Sequence, residues 1–368
     1  MEGTGRRLGP RENQVSPGTL SGANAGRRWK NALLGLGFLT ALLIVLSPVR
    51  HNGTAAESVK PYHLASRTVA VAYRMHLPHL PANARKVAVW IPLPRETWVQ
   101  RVEDVRIEAA LPHRVVRDPA YGNRFLYLEA VEALPESLDV LMEYIIRRNG
   151  YEVRGPTVGG GDPEPAKDLA RFLQPDLLVP TDGEIAGRSA NILSGAGGGN
   201  LERARLLYDH ILSTMKYHKN GVGWGKGDAL YACRVGSGNC TDFHSLFIGM
   251  ARAAGIPARF VMGFPLPTDE DEGQIPGYHC WAEFHDERLG WVPIDASEAW
   301  RRPEQREFFY GGLDANRIEF TIGRDIPLMI GDEAVGAVLN YSIYPHVVVN
   351  GAVFEGAVTR VSFRNLTG

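Results

Sequence analysis

The chain has 368 residues, 44% hydrophobic and 22% charged, enough for two domains with a sizeable core. Its formal net charge is −1 and its body holds no basic blocks, which argues against nucleic acid as a partner. Three cysteines are too few for a disulfide framework, and the odd count leaves at least one free or intermolecular thiol.

Residues 1–31 are rich in Gly, Ser and Arg and have almost no apolar pattern, a composition that predicts a disordered basic tail. The run ALLGLGFLTALLIVLSPV that follows carries no charge. A spanning helix needs about 17–20 apolar residues, so residues 32–48 read as one membrane anchor. The basic flank on its N-terminal side places the tail in the cytoplasm and the rest outside, in the periplasm or extracellular space. The alternative is a signal segment removed near the small residues at 52–58, giving a secreted protein. Residues 49–65 read as a linker.

From 66 to 154 the pattern changes. TVAVAYRMHL, KVAVWIPLP, RFLYLEAV and LDVLMEYIIRR are short β-branched or aromatic runs separated by turn signals, and they predict a β-sandwich-like domain. It contains no cluster of Cys, His or carboxylates, so its expected role is structural or substrate-positioning. Residues 155–199 are a Gly/Pro-rich linker with short helices. Asn200 then caps an expected helix in which Leu207, Ile211 and Met215 repeat at i, i+4, i+8.

GSGNCTDFHSLFIGMARAAGIP places Cys240 directly after a glycine-rich turn. Phe243, Leu246, Phe247, Met250, Ala251 and Ala254 follow helical spacing, and Gly255 and Pro257 supply a stop. The predicted helix runs about four turns from near Cys240 to Ala254. Cys240 then sits at a helix N-terminus, where the partial positive charge favours the nucleophilic thiolate. A small buried cysteine would satisfy the same position.

YHCWAEF and WVPIDAS read as a hairpin. A five-residue loop from His285 to Leu289 would put His279 directly opposite Asp295, with Cβ atoms about 5 Å apart. A register shift of two leaves them diagonal neighbours; a shift of one separates their faces. His279 and Asp295 would supply the base and orienting acid of a nucleophilic triad. Trp281 shares the His279 face and could cover the site, while Cys280 points to the other face as packing. His244 is a rival base but fits a structural histidine better, Asp242 supports the helix N-terminus, and Cys233 is a nearby free thiol.

These boxes resemble the Cys, His and Asp boxes of the transglutaminase-like superfamily, in the form found in exported bacterial members. The resemblance covers roughly residues 200–325. It implies an α+β, papain-like core with the catalytic triad Cys240, His279 and Asp295, preceded here by the β-sandwich-like domain. Asn239, Trp281 and Trp224 are the expected supporting or substrate-lining residues, Trp224 being the candidate for an oxyanion-site aromatic. The reading needs no cofactor and no metal: the C-x₆-C spacing of Cys233 and Cys240 is wrong for zinc knuckles. FTIGRDIPL, after the boxes, also looks familiar from these members. Residues 326–368, with Asn350-Gly351 as a hairpin turn, are expected to pack as strands on the catalytic core. The expected function is a cysteine enzyme that acts on amide bonds of a peptide or protein through a thioester, most simply a peptidase or amidase. The alternatives are transfer of the acyl group to an amine, as in a true transglutaminase, and an inactive binding module.

Overall fold

The computed structural model describes residues 65–153, 166–220 and 222–366, all within one compact unit, Val59–Gly368. The basic tail, the anchor at 32–48 and most of the linker at 49–65 lie outside the described residues. Among the described residues no helix is long and apolar enough to cross a membrane.

Seven strands come first: β1 (Ser66–Leu77), β2 (Lys86–Pro92), β3 (Gln100–Ala109), β4 (His113–Arg117), β5 (Arg124–Val131), β6 (Leu138–Asn149) and β7 (Tyr151–Glu152). Beyond a 3₁₀ segment, Ala166–Leu173, follow α1 (Gly183–Ile192), α2 (Asn200–Thr214), β8 (Lys216–Tyr217), α3 (Ala229–Val235), β9 (Ser237–Gly238) and α4 (Cys240–Ala253). Then come β10 (Ala258–Pro265), β11 (Glu272–Ile275), β12 (His279–Asp286), β13 (Gly290–Ile294), α5 (Ala296–Arg301), β14 (Gly312–Leu313) and β15 (Arg317–Ile322). The chain closes with β16 (Ile326–Ile330), β17 (Glu333–Leu339), β18 (His346–Val349), β19 (Ala352–Val353) and β20 (Val358–Asn365).

The four runs read as strands are β1, β2, β5 and β6. In β1, Val69, Val71, Tyr73, Met75 and Leu77 alternate inward, as a half-buried strand requires. Two five-stranded sheets result, in the orders β11-β20-β1-β6-β3 and β19-β18-β2-β5-β4. The C-terminal segment departs from expectation. It enters these sheets, β20 pairing with β1 and β18 with β2, so the first and last strands of the described residues build the same sandwich-like half. Ahead of β18 the segment also packs on the catalytic core: Asn340 and Tyr341 reach its glycine-rich loop, the Ser342 carbonyl accepts from Thr321 of β15, and Tyr344 meets Phe264 and Tyr278. The Asn350-Gly351 turn joins β18 to β19 with both residues at positive φ (50° and 85°), the conformation that this dipeptide favours.

The second half is a four-stranded antiparallel sheet, β13-β12-β10-β15, packed on α4. Every residue of α4 from Cys240 to Arg252 is buried, because α1, α2, α3, α5, β10 and β12 surround it. Its polar side chains therefore need partners. Arg252 bonds Asp176 (2.7 Å) and the Gln174 and Ala258 carbonyls (2.7 and 2.9 Å), and Ser245 accepts from Arg324. Phe247 meets Phe284 of β12 at 6.2 Å, fixing the helix over the sheet. On the outer edge of β15, two side-chain amides of the N-terminal half stand in for a further strand. Gln100 bonds both the N–H and the carbonyl of Glu319 (2.8 Å each), and Asn123 does the same at Ile322 (2.9 and 2.8 Å). The edge is thus closed to further pairing.

Candidate active site

The Cys240 end of α4 is built by capping. Asn239 is the N-cap and its Oδ1 accepts the Thr241 N–H at 3.0 Å. Asp242, three residues on, accepts the Asn239 N–H (2.9 Å) and also reaches out to the Gly225 and Gly227 amides (2.7 and 3.1 Å). One carboxylate therefore supports the helix start and holds the glycine-rich loop against it. A side chain at Gly238 would place Cβ 2.3 Å from the Asp242 carboxylate, so this close approach requires glycine. Arg324, from the FTIGRDIPL segment, anchors the same loop through the Gly227 and Lys226 carbonyls (2.6 and 3.2 Å), and Tyr341 bonds the Gly225 carbonyl (3.0 Å). Trp224 is half-buried within this loop.

The parallel pairing of β8 with β9 lays Tyr217 beside Gly238, two residues before Cys240. The Tyr217 hydroxyl lies near the Cys240 backbone. The ring is held by Arg301, 4.0 Å from its centroid. Tyr217 is thus an aromatic at the start of α4 in addition to Trp224. Sequence reasoning missed it because a single tyrosine after a helix carries no signal until β8 and β9 pair.

His279 opens β12 and Asp295 caps α5 just beyond β13. The hairpin loop is three residues, not five: Asp286 pairs with Gly290 and Ala282 with Ile294. The register is therefore shifted by two from the expected one, and Asp295 lies diagonal to His279. The side chains still meet, His279 Nε2 to Asp295 Oδ2 at 2.7 Å. Nδ1 is left for Cys240, and the thiol and the ring each favour the other's charged form.

Asp295 accepts four donors: His279, Arg317 Nη1 on the same oxygen (2.8 Å), and the Ser297 hydroxyl and Glu298 N–H on the other (3.0 Å each). Arg317 in turn bonds Asp314 (3.3 Å) and lies over Trp281, 5.1 Å from its centroid. Charges alternate along Cys240, His279, Asp295, Arg317 and Asp314. Arg317 was not singled out in the sequence, since an arginine 22 positions after the aspartate is one of many until β15 folds beside it. Trp281 shares the His279 face as expected, with ring centroids 6.3 Å apart, but it is fully buried behind the site and does not cover it.

The shifts follow from these contacts. Burial alone would lower the His279 pKa, but the Asp295 charge and hydrogen bond, with Cys240, raise it to about 10. Burial alone would raise Asp295, yet His279 and Arg317 hold it well below the usual carboxylate range. Cys240 is held well below the ordinary thiol range by its neighbours Cys280 and His279, against the effect of burial. Both shifts favour a thiolate beside an imidazolium.

His244 is fully buried. Its Nε2 accepts the Ala296 N–H at 3.1 Å, and burial lowers its pKa to about 4, so it is neutral and structural. Cys233 lies on α3, its sulfur 3.6 Å from Glu184. Cys280 takes the other face of β12, as expected of a packing residue: that face, shared with Phe284, is the one against α4, and its sulfur sits 3.8 Å from Thr241 Oγ1 and 3.8 Å from His244 Nδ1. All three cysteines are free. Among the described residues no group of His, Cys, Asp and Glu could hold a metal ion.

A cleft of about 260 Å³ opens beside His279 between Leu266, Pro276, Arg301, Arg302 and Asn316. Two larger hollows, about 760 and 560 Å³, lie on the five-stranded sheet containing β1 and include no triad residue.

Residues 188–296 match the family model of the transglutaminase-like superfamily, a span that contains Cys240, His279 and Asp295. An uncharacterised protein of Haemophilus influenzae is 27% identical over 300 residues, covering 72% of this chain and 80% of the relative. The structure of a candidate cysteine protease from Cytophaga hutchinsonii superposes with a TM-score of 0.52 at 15% identity, over 82% of this chain and 98% of that one. The periplasmic domain of TgpA from Pseudomonas aeruginosa aligns at 15% identity over 62% of this chain and 75% of that one, with a TM-score of 0.32. The antiparallel sheets and the helix headed by Cys240 are thus those of a protein that carries a transglutaminase-like core domain.

Proposed function

We propose that the chain is a cysteine-dependent peptidase or amidase, with Cys240 as nucleophile, His279 as acid and base, and Asp295 as orienting group. The observation that carries this is the buried sequence Cys240–His279–Asp295–Arg317, which poises a thiolate against an imidazolium. Hydrolysis also agrees with the protease name of the Cytophaga fold neighbour.

The thiolate adds to the amide carbonyl carbon and the carbonyl π pair moves to oxygen. That oxygen takes the place beside the Cys240 N–H, where the nearby Tyr217 hydroxyl can act as a second donor. The C–N bond then breaks and His279 Nδ1–H protonates the departing amine. Neutral His279 next removes a proton from water, the oxygen adds to the thioester, and the thiolate leaves. An amine in place of water would give transfer. Mass spectrometry of a glutamine-containing peptide, with and without a primary amine, separates chain cleavage, loss of ammonia and amine addition. No change in any peptide of a broad library, or equal turnover by Cys240→Ala, would overturn the proposal. The apolar run at 32–48 supports a location outside the cytoplasm, and protease added to intact spheroplasts of a bacterial host should then digest the catalytic core.

A further inference from the structure

We propose that the cleft beside His279 is a subsite for a carboxylate of the substrate peptide, held by the guanidinium of Arg301. The inference rests on the reading of Cys240 as nucleophile and names the class of peptide that this site takes. Of the three hollows described above, this cleft is the one that reaches the triad, through His279. At about 260 Å³ it is smaller than the roughly 300–1,000 Å³ of a whole-ligand pocket, so it suits one residue of a longer chain. Pro265, Leu266 and Pro276 give it an apolar lining, and the end of α5 contributes Glu298, Arg301 and Arg302.

The buried charges of the cleft are already matched, since Arg317 bonds Asp295 and Asp314 and His279 bonds Asp295. On α5 the balance differs. Arg301 and Arg302 share the carboxylate of Glu298, Arg301 Nη1 lying 3.3 Å from one oxygen and Arg302 Nε 3.5 Å from the other. Among the described residues that contact is the one hydrogen bond that Arg301 makes, out of five N–H donors. Its guanidinium carbon is 4.0 Å from the Tyr217 ring centroid. The ring covers one face of the guanidinium and leaves the edge, where the donors are, for a two-bond contact with a carboxylate. The helix dipole accounts for a cation in the last turn of α5. It does not account for the seat of that cation on a ring that the β8–β9 pairing sets beside Gly238, two residues before Cys240. Asp269, exposed in the segment after β10, also lines the cleft and repels a carboxylate on its own side, which directs the group to Arg301. The apolar lining and the guanidinium together fit a carboxylate on a short apolar stem, either an acidic side chain or the end of a chain.

Matched alkylating probes test this without turnover. N-iodoacetyl-glutamate α-amide and N-iodoacetyl-glutamine α-amide differ only in the side-chain carboxylate, and N-iodoacetyl-glutamine with a free α-carboxylate puts the charge at the chain end. Labelling rates at Cys240, read by peptide mass spectrometry on the whole chain, are divided by the rates of the same probes with free N-acetylcysteine amide. One carboxylate probe should then exceed the uncharged probe by about 3–10-fold, the size expected for a half-exposed charged hydrogen bond, and which one does so tells side chain from chain end. Arg301→Gln should bring that ratio to within about twofold of one, and Arg301→Lys should keep part of it. A wild-type ratio near one overturns the inference. So does an Arg301→Gln variant that slows all three probes alike, because the arginine would then only hold Tyr217. Arg302→Gln should change the ratio less than Arg301→Gln does, and an equal drop would assign the attraction to the rim as a whole and overturn the assignment to Arg301. A ratio near one with Cys240 still labelling as a thiolate removes the subsite alone. A Cys240 that labels only as an ordinary thiol, with the ratio intact, removes the functional reading instead.

Discussion

His279 and His244 both lie near Cys240, one at the mouth of β12 and one in the second turn of α4, and burial acts on both in the same direction. The outcomes are opposite. His279 has Asp295 on its far nitrogen at 2.7 Å, and its pKa rises to about 10. His244 has a backbone N–H on its far nitrogen, and its pKa falls to about 4. Asp295 Oδ1 is only 3.7 Å from His244 Nε2, but that oxygen already accepts Ser297 and Glu298. Proximity to a thiol therefore does not make a base. The group on the other ring nitrogen decides, and a carboxylate there makes the ring a proton carrier while an amide makes it a strut.

The sharpest way to break this contrast is to remove the reacting groups. Cys240→Ala and His279→Ala should each abolish turnover, a loss on the order of 10⁴-fold or more, and the double variant should be little worse. Peptide turnover of the three proteins measures this. His279→Ala should also move Cys240 labelling to higher pH. Wild-type activity should hold across neutral pH and decline as pH rises through about 10, where His279 loses the proton it must donate. A decline centred near the ordinary histidine value would mean that Asp295 does not charge the ring.

Arg317 tests the far end of the same chain. It is 2% exposed and pairs with Asp295 at 2.8 Å, so Arg317→Met leaves Asp295 and Asp314 without their shared cation. Loss of one partner from a buried pair costs about 3–5 kcal/mol. Urea unfolding should show that loss, and the basic limb of the pH profile should shift as Asp295 relaxes. Asp295→Asn is the milder change: it keeps the shape and the cap on α5 but loses the charge. It should lower kcat while bringing the basic limb below pH 10. An unchanged limb in both variants would assign the His279 shift to some other group.

How far the site can be read from residues alone follows from the same contrast. The helical spacing from Phe243 to Ala251 and the Gly255 stop fixed α4 nearly to the residue, while Asn239, expected only as a supporting or substrate-lining residue, is its N-cap. The alternation of β12 placed His279, Cys280 and Trp281 on the right faces, but not what those faces meet. Which side of the sheet α4 covers is a long-range matter, so the packing read for Cys280 did not reveal that its partners are Thr241 and His244. The hairpin loop length was underdetermined, and the two-residue difference was harmless because it preserves the face. Arg317, Tyr217 and the entry of β18–β20 into the N-terminal sheets depend on contacts between distant segments, for which local pattern has no signal.

Tyr217 should have a smaller effect than the charged groups. Tyr217→Phe keeps the ring among Phe243, Trp300 and Arg301 but removes the hydroxyl beside the Cys240 N–H. Loss of one oxyanion donor costs about 10²-fold in kcat, and less where a backbone N–H remains. We expect a loss of about 10–100-fold in kcat with the Cys240 labelling midpoint within half a unit of wild type, as estimated for a neutral donor. Faster turnover in Tyr217→Phe would show that the hydroxyl blocks the carbonyl's place and must leave before reaction.

The smallest effect on chemistry, and the clearest on stability, should come from His244. His244→Ala leaves the Ala296 N–H buried without an acceptor, a cost of about 1–3 kcal/mol, while His244→Gln can return an oxygen near the Nε2 position and recover part of it. Neither should move the basic limb near pH 10, because neither touches the bond between His279 and Asp295. The two histidines should also impose opposite slopes on stability. The His279 pKa is raised in the fold, so its contribution is complete below the unfolded value of about 6.5 and is lost as pH rises through about 10. The His244 pKa is lowered, so the unfolded chain takes up a proton first as pH falls below about 6.5, and stability drops until about pH 4. That drop is at most about 3 kcal/mol from the size of the shift. Urea unfolding at pH 7 and pH 4.5 should therefore show a smaller acid loss in His244→Gln than in wild type. An equal loss in both proteins would mean that His244 takes up a proton in the fold as readily as in the open chain, and its place as a neutral strut would be gone.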